Sequence, residues 1–375
     1  MSTIKVNKIE NTATGDGGIA IDASGHVTVD GVQLPNAGTL SNRNLIINGA
    51  MTVSQRGTSF THGASSQYTL DRFEAANGSS FNWNSAVISQ DSDSPDGFAN
   101  SLKVDVASVS TPTGSHNACI KYLIEAQDLQ QLDFGSSGAK AFTLSFWVKS
   151  NQTGAYSVQV LASDADKYLL SEYTISSSNT WEQKTLTFVG NTANVIDNDN
   201  GAGFEVRFNL ACGPDDITTP KSTWTAAGGG TIHASTNQVN LFGVASNEWY
   251  MTGVQLEVGE KATPFEHRSF GDELAKCQRY YYQFTATAAG YKWGVRYNAT
   301  GSGQDIPGNF WFPVQMRTDP TGTLIGTWGE SNCSGISIDE TAPSGCYIRS
   351  QTSGSGSATF YPNGAGNGFK MDAEL

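Results

Sequence analysis

The chain contains 375 residues, and its 35 acidic residues outnumber its 22 basic residues to give a formal charge of −13 at pH 7. No two lysine or arginine residues are adjacent, so the sequence lacks the clustered basic surface that binding to nucleic-acid phosphates requires. Charged residues make up only 15% of the chain, whereas glycine occurs 41 times and aromatic residues reach 10%. This composition argues against disorder and is typical of β-strands joined by tight turns.

The N-terminus shows no sign of a targeting segment. Residues 1–5 contain no apolar signal-peptide core, and no stretch of the chain approaches the roughly 20 apolar residues of a membrane span. We therefore expect a soluble protein that is not exported through a signal peptide. The five cysteines are scattered and odd in number, which favours buried free thiols over a disulfide framework, although Cys333 and Cys346 could pair if oxidised.

Residues 1–44 differ in pattern from the rest of the chain. Short alternating apolar segments at Ile4–Ile9, Ile19–Ile21 and Val27–Val29 predict strands, and turns rich in glycine and aspartate separate them. Strands of this length cannot bury a face alone, so we expect several copies of the segment to wrap around one another or to dock onto a larger assembly. We expect the segment to be poorly ordered in the free protein, and residues 32–44 to form a linker.

Residues 45–266 show the alternation that is typical of β-strands. The clearest strand is Phe142–Lys149, in which apolar residues alternate with more polar ones and with Trp147, so one face should meet the core and the other face the solvent. Many such segments follow one another in this stretch, which predicts two packed antiparallel sheets, most plausibly a jelly-roll β-sandwich. The fold class that follows is all-β.

Helix is scarce in the sequence. Ile124–Leu132 permits a short helix, and Asp272–Tyr280 permits a longer one, with acidic residues near its start and Arg279 near its end, as the helix dipole favours. We place the second helix in a connecting segment, residues 267–285. The β pattern then returns, and residues 286–375 are predicted to form a smaller C-terminal β domain.

The sequence contains no catalytic motif that we recognise, and we expect neither an enzyme nor a cofactor or metal site. Glu257, Glu260 and Glu266 lie close together and could form a pair of glycosidase carboxylates, but most acidic pairs are simply solvated. Two aspartate-rich turns, Asp91–Gly97 and Asp197–Gly201, offer hard oxygen ligands for calcium. Surface turns in which aspartate caps its own backbone are the simpler interpretation of both.

Tryptophan is the most informative residue type. Sugar rings present apolar C–H faces that stack on flat aromatic side chains, and sugar hydroxyls pair with the asparagine, glutamine and serine side chains that are abundant here. The candidate ligand-binding residues are Trp293, Trp311, Trp328 and Tyr297 in the C-terminal domain, followed by Trp147 and Trp83 in the jelly roll. The alternative is that each indole fills a core or a subunit interface.

The segment Asn44–Phe60 begins with Asn-Leu-Ile-Ile-Asn-Gly and resembles the start of a class of bacteriophage tail-fibre and receptor-binding proteins. The resemblance continues in order through Phe142–Tyr156 and Trp249–Gly259 to Cys277–Tyr282. Residues Ile4–Ile9 and Ile21–Gly25 resemble the N-terminal part of fibres from phages of marine and freshwater bacteria. The resemblance implies a virion protein, made in the host cytoplasm, that forms a homotrimer, attaches to phage tail proteins through residues 1–44 and recognises a host surface glycan or lipopolysaccharide.

The central region is also similar to jelly-roll carbohydrate-binding modules. In that family an early Asn-Leu-x-x-Asn-Gly strand and a late Asp-x-Val-x-Leu-Glu strand together hold a structural calcium. The late strand here is Gly253–Glu257, so Gly253 replaces the aspartate of the family and puts that calcium in doubt. Glu257 is retained, and we expect it to face outward without a charge partner.

A non-enzymatic tail fibre that recognises the host is the main interpretation. The alternatives are a polysaccharide-degrading tailspike enzyme and a structural tail component without a receptor role. Tailspikes usually need a long parallel β-helix, and the sequence shows no repeat with a period of about 20–30 residues, which favours the fibre. The aromatic run Tyr280–Tyr282 further suggests a homotrimer, because it offers more apolar area than one helix face can bury within a single chain.

Overall fold

The computed structural model describes residues 42–79, 81–228, 234–288 and 294–375, together with four short strands among residues 8–33. Strands make up 48% of the chain and helices 7%, which confirms the all-β prediction. Within these ranges, none of the helices has the length and apolar character to cross a membrane.

The N-terminal strands form an antiparallel sheet in the order β1-β2-β3-β4. They are β1 (Lys8–Glu10), β2 (Gly18–Ile21), β3 (Val27–Val29) and β4 (Val32–Gln33). The strands predicted at Ile19–Ile21 and Val27–Val29 are therefore confirmed, and the described end of the segment predicted at Ile4–Ile9 belongs to β1. The predicted linker is wrong at its start, because Val32 pairs with Val29. Asp30-Gly31 between them is a sequence that favours two-residue hairpins. The other residues up to 41 lie outside the described part, so the expected disorder of the segment stays a prediction.

The central domain is a sandwich of two antiparallel sheets, with strand orders β17-β13-β12-β15-β10-β7-β6 and β14-β11-β19-β9-β8-β5. A parallel pair, β16 and β18, lies beside them. The strands are β5 (Ser59–His62), β6 (Gln67–Tyr68), β7 (Phe73–Gly78), β8 (Ala86–Asp91), β9 (Ser101–Asp105), β10 (Asn117–Glu125), β11 (Phe142–Ser150), β12 (Gly154–Ala162), β13 (Lys167–Ile175), β14 (Glu182–Phe188), β15 (Ala202–Cys212), β16 (Ile217–Thr218), β17 (Lys221–Ala226), β18 (Ala234–Ser235) and β19 (Glu248–Val258). Short 3₁₀ helices are Ala126–Leu132, Pro214–Asp216 and Leu241–Gly243.

The main hydrophobic core fills the space between these two sheets. The apolar side chains of β11 point into it as predicted. Phe142 stacks on Phe188 with ring centroids 5.2 Å apart, and Phe146 meets Phe208 edge to face at the same distance. Aromatic pairs of this kind add to the free energy gained from the buried apolar area itself.

The other face of β11 is covered, contrary to the expectation that it meets solvent. Thr143 and Ser145 are buried, and Lys149 is only 7% exposed. The strand lies inside its sheet, and neighbouring segments cross over it. The Thr143 hydroxyl donates a hydrogen bond to the Gly259 carbonyl at 2.8 Å, and Lys149 pairs with Asp93. Alternation identifies the face that meets the core, but it cannot show which segments cover the opposite face.

Helix α1 (Phe270–Gln278) connects the central and C-terminal domains and lies close to the predicted helix. Its start is capped by Ser269, whose hydroxyl accepts a hydrogen bond from the backbone N–H of Asp272 at 3.2 Å. The return to β structure comes earlier than predicted, because strand β20 (Tyr281–Thr285) follows almost directly. This strand pairs with the last strand of the chain and so belongs to the C-terminal sheets.

The C-terminal domain consists of three-stranded antiparallel sheets with the orders β20-β28-β23, β21-β27-β24 and β22-β26-β25. Its further strands are β21 (Val295–Ala299), β22 (Asp305–Trp311), β23 (Thr321–Ile325), β24 (Trp328–Ser331), β25 (Cys333–Ala342), β26 (Gly345–Thr352), β27 (Gly356–Pro362) and β28 (Gly368–Asp372). A second core fills the space between the sheets and contains Ile306, Ile348, Phe360, Phe369 and Met371. The cysteines are free thiols and are buried, apart from the half-buried Cys212, as the sequence predicts.

A buried arginine joins the C-terminal residues of the chain to the jelly roll. Arg72 is 1% exposed and forms an ion pair with Glu374. Its guanidinium lies over the ring of Tyr280, 3.4 Å from the ring centroid, and donates a hydrogen bond to the Leu123 carbonyl. Burial alone would lower the pKa of Arg72, but the Glu374 carboxylate and the neighbouring tyrosines together outweigh burial and raise this pKa, so the guanidinium stays charged.

A second arginine strengthens the same contact between the domains. Arg56 lies 3.7 Å from the centroid of the Tyr281 ring and 3.1 Å from the Glu374 carboxylate. The Tyr68 hydroxyl donates a hydrogen bond to the carbonyl of Leu375 at 3.0 Å. The last residues of the chain are thus held by side chains of the jelly roll.

The aromatic run Tyr280–Tyr282 is accommodated within a single chain. Tyr280 and Tyr281 are buried against the two arginines, and Tyr282 packs in the C-terminal domain against Phe312 and Phe369. The sequence-based argument that this run requires a subunit interface is therefore wrong. Cation–π contacts let the tyrosine rings pack against arginine within the fold, which periodicity alone does not reveal.

Glu374→Gln should lower the free energy of unfolding by about 3 kcal/mol, because it leaves the guanidinium of Arg72 buried without a charge partner. Urea denaturation followed by circular dichroism measures this change. Asp372→Asn is the matched control, since the Asp372 side chain is 44% exposed and contacts Arg56 at 3.4 Å. We expect it to cost less than about 1 kcal/mol. Equal effects of the two variants would contradict a central role of the buried pair.

Candidate functional site

The aromatic residues predicted in the C-terminal domain occupy different environments. Trp311 in β22 is 77% exposed. Trp328 is half-buried, packs against Phe360 and donates its indole N–H to a backbone carbonyl at 3.2 Å, while Tyr297 is half-buried against the same core. Trp293 lies outside the described residues. Because Trp328 and Tyr297 belong to the sheet β21-β27-β24, the structure does not gather them with Trp311 on one surface.

The two candidates in the jelly roll are not exposed platforms either. Trp83 is completely buried, with its ring centroid 4.4 Å from that of His62 and 5.0 Å from that of Phe242, so it fills the core. Trp147 does leave the core face, as predicted, but it is half-buried in the region of Phe98 and Gly253. A Cβ atom at residue 253 would lie 3.0 Å from Trp147, so glycine makes room for the indole.

The outward face of the sheet β22-β26-β25 surrounds Trp311 with polar residues. Pairing places Trp311 beside Gly345, which in turn pairs with Ala342. Two residues along each strand, Asn309, Tyr347 and Glu340 form the next row. Residues two apart in a strand share a face, so both rows lie on the same side of the sheet. We call this surface the Trp311 face.

A shallow pocket of about 300 Å³ opens on the Trp311 face. Gly345 shapes it, since a Cβ atom there would lie 3.3 Å from the Trp311 ring and 2.5 Å from the Phe310 carbonyl oxygen. The glycine therefore leaves room between the indole and the neighbouring strands. Cys346 also lines the pocket, but burial raises the pKa of its thiol to about 12, so it is protonated and unreactive near neutral pH.

An arginine held by two carboxylates borders the Trp311 face. The guanidinium of Arg349 lies 3.0 Å from the carboxylates of both Asp305 and Asp339. The Gln351 amide donates a further hydrogen bond to Asp305 at 3.1 Å. The Gln351 amide and the Arg349 guanidinium hold the pKa of the Asp305 carboxyl below its usual range, so this carboxylate is ionised at neutral pH.

The sequence reasoning missed Asn309, Tyr347 and Glu340. Tyr347 lies in β26, where alternation places it on the face opposite the buried Ile348. Pairing between Trp311 and Gly345, however, joins segments 34 residues apart in the sequence. No local pattern specifies that register, so the neighbours of Trp311 could not be derived from its own strand.

Two of the three carboxylates considered for glycosidase chemistry have structural partners, and the third, Glu260, is exposed. Glu257 is buried and accepts hydrogen bonds from the Thr263 backbone N–H at 2.8 Å and from its hydroxyl at 2.6 Å, with Arg43 at 3.8 Å. The expectation of an outward-facing residue without a charge partner is therefore wrong, because the segment after β19 folds back over it. Burial alone would raise the pKa of Glu266, but the Asn44 N–H and Arg268 outweigh burial and lower it, which does not suit a general acid.

The segment that begins at Asn44, which resembles the early strand of carbohydrate-binding modules, does contact β19. The Leu45 N–H donates to the Leu256 carbonyl at 2.9 Å, and the Asn44 side chain accepts from the Leu256 N–H at 3.1 Å. At this junction the guanidinium of Arg268 donates to the carbonyls of Asn44 and Ile46 and lies 3.3 Å from Glu266. The positive charge at the junction is thus supplied by the chain itself.

The two aspartate-rich turns use their oxygens internally. The Asp93 carboxylate pairs with Lys149 and accepts the indole N–H of Trp181 at 3.0 Å, and Asp199 accepts the backbone N–H of Gly201 at 2.8 Å. Across the described part of the chain, no three histidine, cysteine or acidic side chains are grouped so that they could hold a metal ion.

A second pocket, of about 360 Å³, lies on the jelly roll and is lined by polar residues that include Lys121, Asn117 and Asp216. Lys121 pairs with Glu74 at 2.7 Å, and the Asn117 amide donates to Asp216 at 3.0 Å. The Asn117 side-chain oxygen is buried without a hydrogen-bond partner. The residues that line this pocket include no aromatic side chain, which distinguishes it from the Trp311 face.

The folded chain is similar to several solved structures over just over half of its length. An enzymatically active domain of tailspike protein 4 from bacteriophage CBA120 shares 13% identity over 57% of this chain, with a TM-score of 0.31, and the match spans 21% of the tailspike chain. The CBM22-1 xylan-binding domain from Paenibacillus barcinonensis shares 8% identity over 54% of this chain and 95% of its own, with a TM-score of 0.27. The TmCBM61 module in complex with β-1,4-galactotriose shares 7% identity over 59% of this chain and its full length, with a TM-score of 0.27.

These similarities are too low to transfer a ligand or an activity to this chain. No protein-family model matches the sequence, and no curated protein sequence matches it. The function is therefore argued from the geometry of the Trp311 face and from the sequence.

Proposed function

We propose that this protein is a bacteriophage tail-fibre protein that binds a glycan of the host surface through the Trp311 face, without catalysing a reaction. The observation that supports the proposal most strongly is the exposure of the Trp311 indole beside an open pocket with polar neighbours. Tryptophan is enriched at interaction surfaces, because its ring offers a large apolar face and its N–H can donate a hydrogen bond. A rigid indole next to an amide, a phenol and a carboxylate suits a ligand that has both apolar faces and hydroxyl groups.

The geometry of the face supports binding to a sugar ring. A ring stacked on Trp311 would lie above the space that Gly345 leaves open. Asn309 and Glu340 could then pair with sugar hydroxyls, since an amide both donates and accepts hydrogen bonds and a carboxylate accepts them. One such platform contributes about 1 kcal/mol, so a single site would be weak.

The tail-fibre role rests on the resemblance of residues 44–284 to phage receptor-binding proteins. In this proposal, residues 1–44 attach the protein to phage tail proteins, and three copies assemble in the virion. Three linked sites would raise the avidity without any new contact, which is how weak sites can hold a virion on a cell. The run Tyr280–Tyr282 no longer supports a trimer, so this part of the proposal depends on the short N-terminal strands.

We also propose that the protein does not hydrolyse the glycan that it binds. Hydrolysis of a glycoside generally requires two carboxyl groups across the scissile bond, one of which has a raised pKa. Glu257 and Glu266, considered for this role, are engaged with backbone groups and with arginine. A tailspike enzyme remains the competing function, and release of oligosaccharides from host capsule or lipopolysaccharide by the purified protein would establish it.

Trp311→Ala should weaken binding to host cells or to their isolated glycans by about fivefold per site, because it removes the stacking platform. Isothermal titration with isolated glycan and cell-binding assays measure this change. Phe270→Ala is the matched control, since Phe270 is 60% exposed on the surface at the start of α1. We expect the control to bind like the wild type, and both variants to retain their urea midpoints.

Unchanged binding of folded Trp311→Ala would contradict the assignment of the Trp311 face. Lys121→Ala would then test the polar pocket of the jelly roll. If both variants bind normally, the binding site lies elsewhere on the chain, whereas absence of binding by the wild-type protein would favour a tail component without a receptor role.

A homotrimer should show a mass of about 120 kDa in light scattering, three times the 39.9 kDa of one chain. The short strands β1 to β4 cannot bury a sheet face alone, which is the physical reason for expecting self-association. A mass near that of one chain at micromolar concentration would refute the trimer.

A truncated protein that begins at Asn42 should fold and bind glycan but fail to enter virions, because it lacks the attachment segment. The truncated chain has to begin before Asn44, because the buried Asn44 side chain forms hydrogen bonds with the backbone of β19. Particles assembled with the truncated and the full-length chain can be compared by immunoblotting. Normal incorporation of the truncated chain would refute the assignment of the attachment segment.

A further inference from the structure

Strand β25 contains a bulge at the edge of the Trp311 face. Ile338 pairs with Ile348 and Glu340 pairs with Tyr347, so Asp339 is an extra residue in the ladder. A bulge turns two consecutive side chains toward the same side of a sheet. Asp339 reaches Arg349, and Glu340 lines the pocket beside Trp311. Regular alternation would have placed only one of these carboxylates on the outward face.

The bulge makes the Trp311 face anionic. Asp305, Asp339 and Glu340 contribute three carboxylates, whereas Arg349 is the only basic residue in the sequences of β22, β25 and β26. The guanidinium of Arg349 is shared between two of those carboxylates. Its charge is therefore already balanced, and it is not available to bind an acidic group of a ligand.

We propose that these carboxylates set the ligand class of the Trp311 face, so that it accepts neutral or amine-bearing sugars and rejects sugars with carboxylate or phosphate groups. This inference rests on the proposed glycan-binding function. Strand spacing places the Cα atoms of Trp311 and Glu340 about 12 Å apart, so a ligand longer than one ring contacts both. A carboxylate on the ring next to the stacked one then lies close to Glu340.

The expected size of the discrimination follows from Coulomb repulsion. Two like charges about 4 Å apart in a water-exposed site reduce affinity by roughly fivefold. Salt reduces this effect, because the screening length is about 10 Å at 0.1 M ionic strength and about 3 Å at 1 M. The penalty on acidic sugars should therefore shrink at high salt, whereas binding to a neutral sugar should change little.

The experiment uses the full-length protein and a glycan array with neutral, amine-bearing and uronate-bearing members. The strongest neutral ligand is then oxidised at its C6 hydroxyls, which gives a matched uronate probe of the same length. Affinities for the two probes are measured with wild type, Glu340→Gln and Asp339→Asn. Glu260→Gln is the control, because Glu260 is an exposed acidic residue of the jelly roll.

We expect wild type to bind the neutral probe at least about fivefold more tightly than the oxidised probe. Glu340→Gln should remove most of this difference by raising the affinity for the oxidised probe, and the control should keep the wild-type ratio. Asp339→Asn should also raise binding of the oxidised probe, because it releases part of the Arg349 guanidinium.

The results of this experiment distinguish failure of the charge selectivity from failure of glycan binding itself. Equal binding of both probes by wild type, or a uronate as the strongest ligand on the array, would refute the charge selectivity. If Trp311→Ala nevertheless abolished binding of these ligands, the assignment of glycan binding to the Trp311 face would be retained. Binding to no member of the array would overturn glycan recognition and the selectivity together.

Discussion

The structure depends on the need to neutralise one buried charge. Arg72 lies inside the jelly roll, and a guanidinium cannot lose its proton to escape the cost of burial. Its charge partner, Glu374, comes from the last residues of the chain. The fold is therefore complete only when the C-terminal domain has brought its final strand back to the jelly roll. Tyr280, which covers the guanidinium, follows directly after α1, so the start and the end of the domain meet at the same arginine.

This constraint determines which surface the C-terminal domain exposes. Its first and last strands, β20 and β28, pair with each other, with Tyr281 opposite Asp372, and both residues contact Arg56. The sheet they form is thereby fixed at the jelly roll. Trp311 belongs to a different sheet, which packs on the other side of the small core through Ile306 and Ile348. Anchoring one sheet leaves the outward face of the other free for a ligand.

Much of the fold could be predicted from local pattern, whereas the buried contacts and most of the site could not. The apolar alternation of Phe142–Lys149 identified a core strand, and acidic residues followed by Arg279 identified a helix. Arg72 and Glu374 are separated by 302 residues, and nothing in the sequence around either one indicates burial. Among the tryptophans, exposure of Trp311 and burial of Trp83 follow from tertiary packing, because both occur in segments with mixed polar and apolar neighbours. Composition therefore named tryptophan as a candidate but could not show which tryptophan is exposed.

The Trp311 face arises where the C-terminal sheet departs from regular pairing. Gly345 interrupts a row of side chains in the middle strand, which leaves a depression beside the indole, and the bulge at Asp339 adds a second carboxylate to the edge. Either irregularity weakens the sheet locally, since glycine packs no side chain and a bulge disrupts the ladder. The sheet tolerates both because the inner face of its central strand is buried through Ile348 and Ser350. The inner face thus stabilises the domain, and the outer face is free to vary in shape and charge. Substitutions at these outward positions would therefore change the shape and charge of the face without altering the core.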